Sequence, residues 1–317
     1  MKKNSRIIKI AIASGAAVGA IYAVNKIIFS YSTLRKLLLS DDSFFYEWRF
    51  GKIHYIKKGH GKPAVLLHDL DSASSVYEWK AMIDRLSKNH TIYAIDLLGC
   101  GYSDKPKMTY TNYLFVQMLN DFVREVIRGR TDIIASNSSC SVALSAIHME
   151  EGLYHKLMMI NPKDPAKMAK VPRFYHKFYK YMIEIPVFGT LIYNIQEAFY
   201  SIKRKFIKKY YYSEELVKKD DIRAYHEAAH TGGSASKYLY ASISGRYTNI
   251  PVYKAVKNCN HSMIIAGGSE VENIKEIMAK YTELNPSIET ICIENAKYMP
   301  QLEVPQKLEE MISIYMG

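Results

Sequence analysis

The chain has 317 residues, 48% of them hydrophobic, which is enough for one large core, and its cysteines at 100, 140, 259 and 292 form no C-x-x-C pair, so a zinc knuckle and a redox motif are excluded. Cys140, Cys259 and Cys292 lie in or beside apolar segments and read as small buried hydrophobes. The formal net charge of +12 admits two kinds of partner, nucleic acid or an anionic membrane surface.

The N-terminus favours the membrane. Lys2, Lys3, Arg6 and Lys9 precede Ile10 to Val24, a run without a charge, and Ile27-Ile28-Phe29 follow Asn25-Lys26. Counted from Ile7, with Lys9 snorkelling, the segment reaches the roughly 20 residues that span a bilayer. A cleaved signal peptide is the rival reading, with small residues at Ala17 to Ala20 as its cleavage site. A retained anchor fits better, because apolar character resumes after Lys26 and a polar-apolar helix is expected over Tyr31 to Leu39. Gly15-x-x-x-Gly19 permits helix pairing only weakly. Basic residues flank the run on both sides, so the membrane side stays open.

Strands begin after Phe44. Phe45 to Phe50 and Ile53 to Lys57 alternate around Gly51-Lys52, a hairpin signal, and Pro63 to His68 is a short apolar run of the buried kind. An amphipathic helix is expected over Ser74 to Leu86, a strand over Thr91 to Asp96 and a helix over Asn112 to Arg128. Asp132 to Leu144 then reads as a buried strand that passes through small residues into an apolar helix, presenting one side chain at its tip. Lys156 to Ile160 is a further strand. From about Pro162 to Tyr247 the alternation stops, and the chain becomes helical, aromatic and basic. Between Lys163 and Lys219 it carries thirteen Lys or Arg against five Asp or Glu. Alternation returns with a strand Ser262 to Ala266, a helix Asn273 to Tyr281, a strand Thr290 to Glu294 and a helix Pro305 to Tyr315. There is no internal repeat and no low-complexity linker. The pattern predicts an α/β domain with a mostly parallel sheet covered on both faces. The expected organisation is an anchor and linker helix over residues 1–40 and one domain over 41–317, with a helical insertion over about 162–247.

Three runs carry a resemblance. They are Gly59-His60-Gly61-Lys62-Pro63 through His68, Asp96-x-x-Gly99-x-Gly101-x-Ser103-Asp104-Lys105-Pro106, and Asn295 through Pro305 with Tyr298-Met299-Pro300 at its centre. In this order and at these separations the chain resembles the α/β-hydrolase superfamily of capped esterases, dehalogenases and peroxidases over about residues 44 to 317. The resemblance implies a pocket at the carboxyl ends of the strands, with the 162–247 insertion as its cap. It also implies a nucleophile on the turn after Asp132 to Ala135, where such proteins carry G-x-S-x-G.

The residues at the implied catalytic positions depart from that pattern. No glycine occurs between Gly129 and Gly152. The turn aligns in two registers, one centred on Ser138 and one on Asn137. The second also puts Val142-Ala143-Leu144 where such families show an apolar-alanine-apolar step. Asparagine is no nucleophile, and Ser138 in a first helical turn has an ordinary backbone-bonding role. The implied acid is Glu270 in Gly267-Gly268-Ser269-Glu270, a position equally suited to an exposed helix-start carboxylate. The implied base, two residues before Pro300, is Tyr298, a poor base at neutral pH with an ordinary pKa of about 10. His261 is the last histidine of the chain. Lys297 precedes Tyr298 and reads as a solvated lysine. The implied oxyanion loop is His68-Asp69-Leu70, in which Asp69 sets a carboxylate where negative charge would develop.

His226-Glu227-Ala228-Ala229-His230 matches the H-E-x-x-H zinc pattern, but no Asp or Glu stands between His230 and Glu270 to supply a third ligand. A zinc protease is therefore the remote reading, and no cofactor or metal is expected. The leading expectation is a membrane-anchored hydrolase-like protein with impaired chemistry and a retained pocket for an apolar ligand or partner. The alternative is an active serine hydrolase of small hydrophobic or lipid esters using Ser138. Membrane lipid is the expected partner and nucleic acid is not, while the protein partner and oligomeric state are not legible.

Overall fold

The computed structural model describes the backbone of residues 2–317 and the side chains from Ile12 onward. Eight strands form one sheet: β1 (Ser43–Trp48), β2 (Gly51–Lys58), β3 (Lys62–Leu67), β4 (His90–Ile95), β5 (Thr131–Ser136), β6 (Tyr154–Ile160), β7 (Ser262–Gly268) and β8 (Glu289–Ile293). Their order is β1-β2-β4-β3-β5-β6-β7-β8. The first hairpin pairs antiparallel within itself and with β4, and all later neighbours are parallel.

The central strands read as continuous apolar runs because both of their faces are covered. On β3, Val65 and Leu67 join the core on one side while Ala64 and Leu66 join the core on the other. On β6, Leu157 and Met159 part from Met158 and Ile160 in the same way. Helices α3 (Asn112–Phe122), α4 (Ser139–Met149) and α12 (Ile274–Leu284) supply the first core; α2 (Lys80–Leu86) and α14 (Pro305–Met316) supply the second. The helix expected from Ser74 starts later, as a tight turn over Val76–Trp79 capped by the Ser75 hydroxyl, and becomes α-helical at Lys80.

Chain order reverses at β3 and β5, which run side by side while their successors diverge, so the loops after these two strands line one crevice. Between β6 and β7 the chain adds α5 (Pro165–Met168), a separate layer with α6 (Phe174–Glu184), α7 (Phe188–Gln196), α8 (Phe199–Lys205), α9 (Lys219–His230) and α10 (Lys237–Ser244), and then α11 (Tyr253–Lys257), while the short α13 (Pro300–Glu303) follows β8. Its own core joins Ile202, Phe206, Tyr210, Tyr211 and Tyr225 to Ala73 after β3 and to Met299 and Leu302 after β8.

The N-terminal helix α1 spans Lys2–Ser32, and its Ile12–Ser32 portion is long and apolar enough to cross a membrane. The basic side chains before Ile10 lie outside the described side chains. The second helix expected over Tyr31 to Leu39 is absent: after Ser32 the chain turns, with Lys36 in the left-handed region at φ 51°. Docking explains the break. Leu38 is buried against Ala224 and Ala228 of α9, and the Leu37 amide donates to the Glu227 carboxylate at 3.0 Å.

Candidate functional site

The turn after β5 is built around Asn137. Its φ of 48° is left-handed, a region that asparagine tolerates better than other residues with a Cβ. Its amide donates to Ile160 O at 2.8 Å, and Ser138 and Ser139 then open α4. Small residues let this helix start close to the loop after β3: the Ser139 hydroxyl donates to His68 O at 2.5 Å. Asn137 is therefore the tip of the strand-turn-helix, and its Nδ2 donates to Ser136 Oγ at 3.1 Å and toward Tyr298 O at 3.4 Å. Ser138 Oγ is buried and has no hydrogen-bond partner among the described residues, so no base stands within reach of its proton.

The loop expected to supply the oxyanion donors folds back onto the turn. Asp69 Oδ1 accepts the Ser138 amide at 3.0 Å, and an amide at this place is the donor that a strand-turn-helix nucleophile site sets beside one from the loop after β3. Asp69 is 7% exposed and Leu70 is part of the large core. His68 is fully buried. Its Nδ1 lies 2.7 Å from Asp69 O and its Nε2 accepts the Leu97 amide at 3.1 Å, which fixes the neutral tautomer. Burial lowers its pKa against the pull of nearby Asp96, so His68 holds the loop rather than a proton.

Beneath the tip is a carboxyl group that the sequence did not single out. Glu78 is fully buried and meets Ser136 Oγ, Gln301 Nε2 at 2.6 Å, the Asp69 amide at 3.1 Å and the Tyr225 hydroxyl at 3.3 Å. Burial and the charge on Asp69 push its pKa up to about 8, partly offset by the hydrogen bonds from Ser136, the Asp69 amide and Gln301. At neutral pH it is mostly protonated. The helical pattern from Val76 to Leu86 gave no signal for it, because Glu78 precedes the regular α2 and sits on a tight turn.

The other expected positions do not converge on Asn137. Glu270 is exposed, its amide donates to Ala296 O, and its carboxylate meets only the neighbouring Ser269 hydroxyl at 3.2 Å among the described residues. The Tyr298 ring is half-buried under the Lys209 ammonium at 5.0 Å, and burial, with Glu272 and Asp69 nearby, raises its pKa. Lys297 takes part through its backbone, donating to Glu303 and accepting Asn161 Nδ2 at 2.9 Å. Asn161, after β6, also accepts the Gly268 amide at 2.8 Å and so staples the ends of β6, β7 and β8.

The residues expected to border a pocket above the turn are buried. Asn137, Ser138, Ser136, Gln301 and Tyr225 are all buried, and the cap's aromatic core closes over them. The cause is legible only in three dimensions: Tyr210 and Tyr225 come from separate cap segments, and the Tyr210 carbonyl accepts the Met299 amide at 3.2 Å.

A Ser–His–Asp chain does exist, on the other side of β3 and β4. His54 Nδ1 lies 2.7 Å from Asp96 Oδ2, and its Nε2 lies 3.0 Å from Ser43 Oγ. It is a clasp for the Asp96 motif. His54 is buried between Phe45 and Tyr102, and Asp96 also accepts the Val76 amide at 2.7 Å and the Tyr102 amide at 2.9 Å. Gly101 is required there, since a Cβ at its φ of 45° would collide with the Asp96 carboxylate.

His226 and His230 share one face of α9 with ring centroids 4.5 Å apart, and burial lowers both pKa values to about 4. Glu227 turns to the Leu37 amide and the Tyr102 hydroxyl, and no group of three or more His, Cys, Asp or Glu suited to a metal occurs among the described residues.

No family model matches the chain. A soluble epoxide hydrolase from Corynebacterium sp. (strain C12) is 24% identical over 263 residues, covering 80% of this chain and 90% of its own length. The solved structure of the epoxide hydrolase CorEH without ligand superposes with a TM-score of 0.70 at 21% identity, covering 86% of this chain and 98% of that one. A bromoperoxidase from Bacillus anthracis gives 0.68 at 14% identity, covering 86% and 99%. With the strand order, the turn after β5 and the insertion between β6 and β7, these likenesses make the chain a member of the α/β-hydrolase superfamily.

Proposed function

We propose that the chain is a membrane-anchored α/β-hydrolase-fold protein that performs no acyl transfer at its turn and acts by binding membrane lipid or a protein partner. The observation that carries this is the Asp69 carboxylate on the Ser138 amide, which takes an oxyanion donor and adds negative charge where the reaction would create it. Asn137 at the tip, Tyr298 in place of an imidazole and the burial of the turn support the same reading. The anchor lies within α1, whose Ile12–Ser32 portion is long and apolar enough to cross a membrane. The cap supplies a surface suited to a membrane, because Phe174, Tyr175, Phe178 and Tyr181 stand exposed along α6 in a segment rich in lysine.

The relatives are hydrolases by name, which favours a second reading, hydrolysis of a small hydrophobic or lipid ester using Ser138. One assay separates the two. The purified full chain is given a short acyl ester, a simple epoxide and a serine-reactive fluorophosphonate. The binding reading expects no labelling at Ser138, and any residual turnover to survive Ser138→Ala, Asn137→Ala and Tyr298→Phe alike, as a contaminant's would. Turnover abolished by Ser138→Ala, or label on Ser138, overturns it.

A further inference from the structure

The last turns of α1 do not stand free of the domain. Asn25 is buried, its Nδ2 donating to Val187 O at 3.0 Å and its Oδ1 accepting Asn194 Nδ2 at 2.9 Å. Val187 is the centre of a γ-turn with φ 64° and ψ −66°, closed by Phe188 N to Pro186 O at 2.7 Å, a strained conformation for a β-branched residue. Phe29 packs beside His230 with centroids 5.6 Å apart. Helix and cap are thus joined by polar contacts as well as apolar ones.

Along this seam lies a cavity of about 510 Å³, within the range of small-ligand sites. Its walls combine Tyr22, Lys26 and Phe29 from α1 with Lys107, Ser234 and Lys237 from the domain, and no carboxylate is among the lining residues. Lys237 is 3% exposed. Its ammonium donates to Ile185 O at 2.8 Å and to Thr190 Oγ1 at 3.2 Å, which leaves one of its three N–H donors. Among the described residues none of the three lysines is ion-paired. Burial lowers the Lys237 pKa to about 8, which Glu184 only partly opposes, and the Glu184 carboxylate is itself paired with Lys180. A buried cation without an anion is costly unless something brings the opposite charge.

Its level along the helix says what brings that charge. The cap contact at Asn25 ends the part of α1 that can sit in hydrocarbon. Twenty residues, about 30 Å at 1.5 Å each, count back from Val24 to Ser5, among the N-terminal basic residues. Tyr22 and Lys26 then fall at the membrane–water boundary, where amphipathic rings and lysines gather, and the cavity opens at phosphate depth. We propose that this seam is a binding site for the phosphate of an anionic phospholipid headgroup, held by Lys237, Lys107 and Lys26 with the acyl chains along the exposed side of α1. The proposal rests on the anchor reading.

The test uses the full chain in nanodiscs of phosphatidylcholine with and without phosphatidylglycerol. Retained lipid is read by native mass spectrometry, and carbonate extraction of native membranes is run alongside. The wild type retains phosphatidylglycerol in preference. Lys107→Gln, an exposed change that leaves the fold alone, weakens retention about fivefold, and adding Lys237→Gln weakens it about fivefold again. Equal retention of the two lipids, or retention indifferent to Lys107→Gln, overturns the site and leaves the anchor standing. Release of the protein by carbonate overturns the anchor and the headgroup site with it. Thermal stabilisation by inorganic phosphate that needs Lys107, without any lipid preference, overturns the lipid form in favour of a free phosphate ligand.

Discussion

Glu78→Gln should reverse its effect on stability as pH rises. In the folded protein the carboxyl holds its proton up to about 8, whereas in the unfolded chain it loses it near its ordinary 4.5. Between these values the unfolded state has fewer protons, so wild-type stability falls with rising pH, and the fall is complete above 8. At about 1.36 kcal/mol per pH unit the whole decline from this group amounts to about 5 kcal/mol. Glutamine does not titrate, but its Nε2 must face another donor, either Gln301 Nε2 or the Asp69 amide, at a cost of about 1–3 kcal/mol. The variant is therefore less stable than the wild type at pH 5 and more stable at pH 9, with the curves crossing at about pH 6. Thermal unfolding of both proteins across this range reads the difference, at about 2–4 °C per kcal/mol. Parallel curves would refute the assignment of Glu78 as a buried neutral acid.

Three further outcomes follow from the fold. Leu66→Ala, in the middle of β3 and fully buried, should cost about 2–5 kcal/mol in denaturant unfolding. Asn25→Ala leaves Asn194 Nδ2 unpartnered and Val187 O with the Leu191 amide alone, and should loosen the seam by about 1–3 kcal/mol, seen as faster amide exchange in Phe188–Gln196; unchanged exchange would show that α1 does not hold the cap. Burial pushes Asp96 up, but the hydrogen bond and charge of His54, with the hydrogen bond from the Tyr102 amide, bring it down to about 2. Because this folded pKa lies below the ordinary 3.8, its contribution of about 2 kcal/mol is present above pH 4 and lost as the pH falls toward 2, and His54→Phe should remove most of that acid sensitivity.

Much of the fold was legible because its signals are local. Apolar runs such as Ala64 to Leu67 mark strands buried on two faces, and Gly101 announces a backbone that folds over a carboxylate. The site was legible only as a set of substitutions. Sequence could align the turn on Asn137 or on Ser138, and the positive φ at 137 is what distinguishes their places. That Asp69 reaches the Ser138 amide depends on two loops meeting at the point where strand order reverses, 69 residues apart in sequence. Glu78 and Gln301, 223 residues apart, are likewise brought together only by the packed sheet. The separate helix expected after Tyr31 failed because burying Leu38 against α9 outweighs local helix propensity.

On the binding reading proposed above, the contact between Asp69 and the Ser138 amide acts as a built-in competitor for that donor. A tethered anion three ångströms from the donor acts at an effective concentration far beyond what a dissolved substrate reaches, and it never diffuses away. Substituting a nucleophile at position 137 alone therefore leaves every incoming carbonyl competing with a resident ligand. On that reading, a nucleophile placed at position 137 gives hydrolysis only when the carboxylate at position 69 is removed as well.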